Sequence, residues 1–249
     1  MDSSVGYREV PPPPALRHGV SAFWIRTMPR QPGPPVEVWP DAGVDIIWQQ
    51  GDGPLLAGAD TGPMPATLEP GVVLVGARLR PGAAGPALHL PMYEVRDRRV
   101  FLSDVAPKLA RSLPGDLTPD VAFRRLCEMT GRLLTEGGPD PIVTGGAEQL
   151  RDPGTSLDDL LLQTSLSGRQ LRRRFQHALG YGPKTLQRVL RFQRAVALLD
   201  AGADLATTAA RAGYADQAHM TRECRRLSGK TPSDLARAVV AESFKTAAG

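Results

Sequence analysis

The sequence predicts an α+β protein in which a β-rich N-terminal domain with accessory helices is followed by an all-α C-terminal domain. Three observations predict this fold class. Short runs of β-forming residues alternate with Gly- and Pro-rich turns up to about residue 80. From residue 81 onward the apolar residues follow helical spacing. An internal repeat in the C-terminal part indicates two copies of one helical unit.

The N-terminal half is divided by turns. Its β-type runs are residues 21–25, 44–48 and 72–79, and a turn cluster, Gly-Asp-Gly-Pro, occupies residues 51–54. Helices are predicted after these runs, over residues 83–90, 101–112 and 118–134. We expect these helices to pack on the β-rich unit or on a second subunit.

The C-terminal repeat has an offset of 49 residues. This shift superimposes Leu171 on Met220, Arg173 on Arg222, Phe175 on Cys224, Gly180 on Gly229 and Pro183 on Pro232. Two glycines and two prolines rarely fall into one register by chance. The repeat therefore indicates a duplicated supersecondary unit.

Each copy is predicted to be a helix, a tight turn and a second helix. In the first copy, Ser156 and Asp159 have the spacing of a capping box, and the helix ends near residue 163. Ser167 then begins a helix that ends at Gly180. The corresponding caps and terminal glycines of the second copy are Asp204, Gly213, Asp216 and Gly229. Between the copies, residues 183–199 contain no helix breaker and predict a linking helix about 25 Å long.

Charge is distributed unequally along the chain. From Leu150 onward there are 16 Lys and Arg residues against 9 Asp and Glu, a net charge of +7, whereas residues 1–149 carry −3. A basic half favours a polyanionic partner because Lys and Arg neutralise phosphates and release counterions. Charge alone leaves nucleic acid and an anionic membrane open as that partner.

The second helix of each copy carries polar side chains suited to reading DNA. Arg and Gln form bidentate hydrogen bonds with base edges or contact phosphates, and a helix that bears them fits the major groove. The outer face of the first such helix carries Arg169, Gln170, Arg172, Arg173, Arg174 and Gln176. The second offers Gln217, His219, Thr221, Arg222, Arg225 and Arg226.

The segment 156–236 resembles the DNA-binding domain of AraC/XylS-type transcription regulators. The residues that carry the resemblance in the second copy are Ala209, Ala210, Gly213, Tyr214, Asp216, His219, Arg222, Gly229, Thr231 and Pro232. The resemblance implies seven helices arranged as two helix-turn-helix units joined by a linking helix. It also implies double-stranded DNA and RNA polymerase as partners, and an activator or a repressor role is open.

The family's base-contacting positions fall on Arg169, Arg172 and Arg173 in the first unit and on Gln217, Ala218, His219 and Arg222 in the second. Arg226, in the second helix of the second unit, is a further candidate DNA contact. The chain departs from the family where Met220 and Cys224 replace aromatic residues, and we expect both to pack as apolar side chains.

The N-terminal half is similar to the sensing domains of this family, which are often cupin-like. The similarity lies in Pro40-Asp41, residues 44–48, residues 75–78 and residues 80–84. Such domains bind small effectors or form homodimers. An apolar effector pocket is predicted from Trp24, Trp39, Trp48 and Tyr93. No metal or cofactor is expected, because His18 and His89 are isolated in sequence.

The predicted domain organisation has an effector-sensing or dimerisation domain over residues 1–145, a linker over 146–155, the DNA-binding domain over 156–240 and a tail over 241–249. No apolar run is long enough to span a membrane and no secretory signal is recognisable, so we expect a cytoplasmic protein. Cys127 and Cys224 are expected to be reduced thiols.

The leading hypothesis is therefore a non-enzymatic, sequence-specific transcription regulator controlled by a small effector or by dimerisation. One alternative is a DNA-alkylation-repair type of enzyme fused to a helix-turn-helix module, which would require an activated thiol such as Cys127. The other is a general polyanion binder without sequence preference.

Overall fold

The computed structural model describes residues 5–237, and its N-terminal half is built on one six-stranded antiparallel sheet. The strands are β1 (Gly6–Val10), β2 (Val20–Thr27), β3 (Val44–Gln49), β4 (Gly53–Ala57), β5 (Val73–Leu79) and β6 (Arg99–Phe101). Their spatial order is β1-β2-β5-β3-β4-β6, which leaves β1 and β6 at the edges. The predicted β-rich N-terminal domain is confirmed.

The two faces of the sheet differ in character because side chains alternate along each strand. Phe23, Ile46 and Trp48 point into the main hydrophobic core. On the opposite face Trp24 lies across Gly76 of the paired strand β5, where a Cβ atom would collide with its indole ring. The Trp24 Nε1 atom donates to Asp45 Oδ1 at 2.7 Å, which makes a polar contact on this face.

Four helices accompany the sheet: α1 (Ala84–Leu88), α2 (Leu102–Val105), α3 (Pro107–Ala110) and α4 (Pro119–Glu136). The predicted helix over 101–112 is divided between β6, α2 and α3. Ala106 precedes Pro107 and has φ −146°, outside the helical region, because a residue before proline avoids the α conformation. The long helix α4 packs on β5 through apolar residues that include Leu126 and Leu133.

The C-terminal part is helical, as predicted. Its helices are α5 (Pro141–Gln149), α6 (Leu157–Thr164), α7 (Gly168–Leu179), α8 (Pro183–Asp200), α9 (Leu205–Ala212) and α10 (Gln217–Ser228), and residues 232–237 are helical as well. The caps lie at the predicted residues: Ser156 and Ser167 form capping boxes, and Asp204 and Asp216 accept from the first turns of α9 and α10. The tail predicted over 241–249 and residues 238–240 lie outside the described residues.

The structure differs from the predicted linker at its start, because α5 continues through Gln149. Asp140 caps this helix and Pro141 occupies its first turn. Gly146 suggests a loop when the sequence is read alone, yet in the structure it allows α5 to approach α7. A Cβ atom on Gly146 would lie 3.0 Å from Cζ of Phe175.

The N-terminal domain contacts both helix-turn-helix units. At the first unit, α1 approaches the end of α7 so closely that a Cβ atom on Gly85 would lie 2.8 Å from the carbonyl oxygen of His177. On the linking helix, the Trp39 ring packs edge-on against Phe192 of α8, with centroids 6.3 Å apart. At the second unit, Lys230, which follows α10, forms an ion pair with Glu37 at 2.8 Å. None of the helices within residues 5–237 is both long enough and apolar enough to cross a membrane.

Candidate nucleic-acid interface

Helix α7 is the second helix of the first unit, and local hydrogen bonds define where it begins. The Ser167 hydroxyl accepts from the Gln170 backbone N–H at 3.3 Å, and Gln170 Oε1 accepts from the Ser167 backbone N–H at 2.9 Å. This capping box occupies the Gln170 side chain. Leu171 and Phe175 are buried beneath the helix, so its opposite face is turned outward.

That outward face carries Arg169, Arg172 and Arg173, all exposed. Within residues 5–237 none of these three guanidinium groups forms an ion pair or a side-chain hydrogen bond. Arg174 differs, because its Nε atom donates to Asp140 Oδ2 at 2.6 Å. The structure thus separates three available arginines from one that fastens α7 to the start of α5.

Helix α10 occupies the equivalent place in the second unit. Asp216 accepts from the backbone N–H of His219 at 2.6 Å and begins the helix. Met220 and Cys224, which replace the expected aromatic pair, are fully buried beneath it. The side chains of Gln217, Ala218, Arg222 and Arg226 are exposed on its outer face, as the sequence predicts.

His219 lies half-buried at the edge of this face. Its Nδ1 atom accepts from the Ala215 backbone N–H at 3.4 Å, and its ring meets Tyr214 edge-on at 5.3 Å. These two contacts stabilise the turn before α10.

The linking helix α8 carries arginines whose partners are within the protein. Arg188 forms a bidentate pair with Glu223 of α10, with Nε–Oε2 at 2.6 Å and Nη2–Oε1 at 2.9 Å. Burial is the largest single effect and acts to raise the pKa of Glu223, but the hydrogen bond and the charge of Arg188, together with the other nearby positive charges, outweigh it in sum, so the net pKa is lowered. Arg194 Nη1 donates to the Ala212 carbonyl at 2.9 Å. These contacts hold the second unit on the linking helix.

The four aromatic residues predicted to form an effector pocket are not brought together. Trp24 and Trp48 lie on opposite faces of the sheet, and Trp48 Nε1 donates to the Pro114 carbonyl at 2.9 Å. Trp39 packs between the domains against Phe192, and Tyr93 is half-exposed. The proposed pocket needs correction because strand register, which the sequence does not display, decides the face on which each ring lies.

The two thiols are held in environments that disfavour the thiolate. Burial raises the pKa of Cys127 to about 11 and that of Cys224 to about 12. The nucleophilic form of a thiol is the thiolate, so neither site resembles an activated cysteine. Among residues 5–237 no group of three His, Cys, Asp or Glu side chains is arranged to hold a metal ion.

The sequence does not reveal the two ion pairs that position α7 and α10, which are Asp140 with Arg174 and Arg188 with Glu223. The partners are 34 and 35 residues apart, which no local pattern links. One signal was present: the Asp140-Pro141 pair is typical of a helix start and indicates α5.

Comparison with known proteins identifies two matching regions. A family model described as a helix-turn-helix domain matches residues 160–238. A second model, described as a domain of unknown function (DUF6597), matches residues 8–101, so the N-terminal half is a separate domain. No curated protein matches the sequence.

Solved structures with similarity include a probable AraC family transcriptional regulator from Rhodopseudomonas palustris, which is 24% identical with a TM-score of 0.34 over 38% of this chain and 97% of that chain. ToxT from Vibrio cholerae is 8% identical with a TM-score of 0.45 over 86% of this chain and 96% of that chain. Both TM-scores are below 0.5, so the identification of the C-terminal part rests on the helix-turn-helix domain matched over residues 160–238. The chain is a DNA-binding transcription regulator with a C-terminal helix-turn-helix domain of the AraC type.

Proposed function

We propose that the chain binds an asymmetric DNA site as a sequence-specific regulator, with α7 and α10 entering successive major grooves. The observation that carries this proposal is the exposed basic face on the second helix of each unit. Arg169, Arg172 and Arg173 read the first half of the site, and Gln217, His219, Arg222 and Arg226 contact the second. Arg and Gln supply the bidentate hydrogen bonds that distinguish bases in the major groove.

The linking helix supports two simultaneous contacts. Helix α8 is continuous over 18 residues, which corresponds to about 27 Å. This length is compatible with half-sites about one DNA turn apart, roughly 34 Å. The Arg188–Glu223 pair fixes α10 on this helix before DNA is bound. Less conformational entropy is therefore lost on binding than if α10 were free to move.

We further infer that the N-terminal domain regulates this DNA binding, through a small effector, through homodimer formation, or through both. Support comes from its contacts with both helix-turn-helix units, Gly85 beside His177 and Glu37 paired with Lys230, and from Trp39 against Phe192 of the linking helix. A ligand or subunit that moves this domain would change how the two units are held. Activation would in addition require contact with RNA polymerase.

Selection of binding sites from a random DNA library by the purified full chain tests the proposal. We expect an enriched motif with two half-sites, and we expect Arg173→Ala and Arg222→Ala each to relax one half-site only. Equal affinity for selected and random duplexes would refute sequence-specific binding and favour the general polyanion binder. Repeating the selection with metabolite extracts, and measuring mass by sedimentation, tests effector control and dimerisation separately.

A further inference from the structure

A cleft of about 480 Å³ lies beside α7, where the first helix-turn-helix unit meets the N-terminal domain. Its walls come from α6, from one side of α7 and from the first turns of α8, and Arg96 of the N-terminal domain completes them. We call this the α7–α8 cleft. Among the described residues that line it, four are cationic and none is acidic: Arg96, Arg172, Lys184 and Arg188.

Three of these four cations are available to an external anion. Arg188 is occupied by its bidentate pair with Glu223. In the part of the chain that the structure describes, Arg172 and Lys184 have no ion pair or side-chain hydrogen bond.

Arg96 makes one weak contact, from Nε to Asp97 Oδ2 at 3.5 Å. Asp97 accepts hydrogen bonds from Thr61, including one from its backbone N–H at 2.6 Å, so the Asp97 carboxylate is already engaged by another residue. The Arg96 guanidinium therefore retains donors for a ligand.

The cations converge on the turn between α7 and α8. Arg172 Cγ lies 3.4 Å from the place that a Cβ atom on Gly182 would occupy, and Arg96 Cβ lies 3.6 Å from the corresponding point on Gly180. The two arginines thus come from different domains and flank the same short turn. At this turn α8 begins without a side-chain cap, so the positive end of its dipole adds to the field of the side chains.

We propose that Arg96 contacts the DNA backbone in the α7–α8 cleft, so that the N-terminal domain is part of the DNA-binding surface. This inference rests on the proposed insertion of α7 into a major groove. A groove about 12 Å wide is bordered by phosphates on both sides, and the cleft opens along the side of α7 that carries Arg172. A phosphate that borders this side of α7 would therefore face Lys184 and Arg96.

The position of Arg96 contrasts with the net charge of the N-terminal part. Residues 1–149 carry a net charge of −3 and would on average be repelled by DNA. Arg96 is nevertheless directed to the cleft next to the reading helix. Any movement of the N-terminal domain would add or remove this phosphate contact, which gives a direct route from that domain to DNA affinity.

The salt dependence of binding tests the proposal. Arg96→Ala and the matched control Arg98→Ala remove the same charge from neighbouring exposed positions, but Arg98 lies outside the cleft lining. Affinities of the full chain for its selected site and for a random duplex are measured over a range of NaCl concentrations. One lost phosphate contact makes the negative slope of log K against log salt shallower by about 0.9. We expect this change for Arg96→Ala and no change for Arg98→Ala.

A phosphate contact carries no sequence information, so Arg96→Ala should lower the affinity for both duplexes by the same factor. An unchanged slope, or an equal change in both variants, overturns the proposal. A site for a small anion would also overturn the proposal. In that case inorganic phosphate would compete with DNA at fixed ionic strength, and Arg96→Ala would abolish this competition without changing the salt slope. If wild-type protein shows no sequence preference, the proposed function fails, while the slope on random duplex still decides the role of Arg96.

Discussion

The carboxylate of Asp140 joins the start of α5 to the reading helix through Arg174. Its Oδ1 atom accepts from the backbone N–H groups of Ile142 and Val143 at 3.0 and 3.1 Å, and its Oδ2 atom accepts from Arg174 Nε at 2.6 Å. One side chain therefore caps one helix and orients another. Arg174 is a positioning residue, although it lies next to Arg173 in the sequence.

We predict that Arg174→Ala lowers the free energy of unfolding by about 1 kcal/mol and leaves the salt dependence of DNA binding unchanged. Asp140→Ala should cost more, about 1 to 3 kcal/mol, because it removes the cap together with the pair. Urea unfolding and DNA titrations over a range of salt concentrations measure both effects. A reduced salt slope in Arg174→Ala would show that Arg174 contacts phosphate instead.

The exposed Arg173 and Arg222 should each contribute about 1 to 3 kcal/mol to binding of the selected site. Alanine at either position is expected to lower affinity for that site more than affinity for random DNA. Arg173→Lys retains the charge but loses the bidentate geometry, so it should preserve binding to random DNA while reducing specificity. Arg111→Ala, an exposed site in the N-terminal half, is the charge control. Equal losses on both duplexes would assign these arginines to phosphates.

The helices of the C-terminal part could be predicted because their signals are local. Ser167 and Gln170 satisfy each other across one turn, and Gly213 takes a positive φ of 86° at the turn before α10. The predicted bounds of α9 agree with the structure for this reason. The exposed basic face of α7 likewise follows from the spacing of Leu171 and Phe175.

The arrangement of the site depends on contacts that no local pattern contains. The partner of Arg174 lies in another helix, and Arg96 comes from another domain. Trp24 and Trp48 are separated by the sheet itself, which depends on the register of β2 and β3 against β5. Residue chemistry predicted the kind of ligand, whereas packing decides which side chains are free to reach it.

Two adjacent glycines in α5 should respond oppositely to substitution. A Cβ atom on Gly145 meets nothing within 4 Å, so Gly145→Ala should stabilise the protein by about 0.5 to 1 kcal/mol through helix propensity and chain entropy. Gly146→Ala places its methyl 3.0 Å from the buried Phe175 ring and should destabilise by about 1 to 3 kcal/mol. Urea unfolding of both variants checks the pair. Similar stability of the two would mean that α5 does not pack on α7 as described.

Asp45 is expected to make stability fall as pH rises. Burial raises its pKa from 3.8 to about 6, because Arg78, which lies 3.5 Å away and also pairs with Asp41 at 3.0 Å, offsets only part of the lost hydration. Between these two values the folded chain binds more protons than the unfolded chain, so this residue's contribution to the free energy of unfolding decreases from pH 4 to pH 6.

Asp45→Asn should remove that decrease while its amide oxygen can still accept from Trp24. The exposed Asp116→Asn is the matched control and should follow the wild-type profile. Unfolding free energies measured in urea at half-unit pH intervals give the comparison. A carboxylate that is well compensated by Arg78 would instead have a lowered pKa, and its contribution to stability would rise as the pH increases toward about 4 and stay nearly constant from pH 4 to pH 6. The pH dependence of the difference between wild type and Asp45→Asn therefore decides whether burial or the ion pair dominates on this face of the sheet: a difference that falls from pH 4 to pH 6 indicates burial, and a constant one indicates the ion pair.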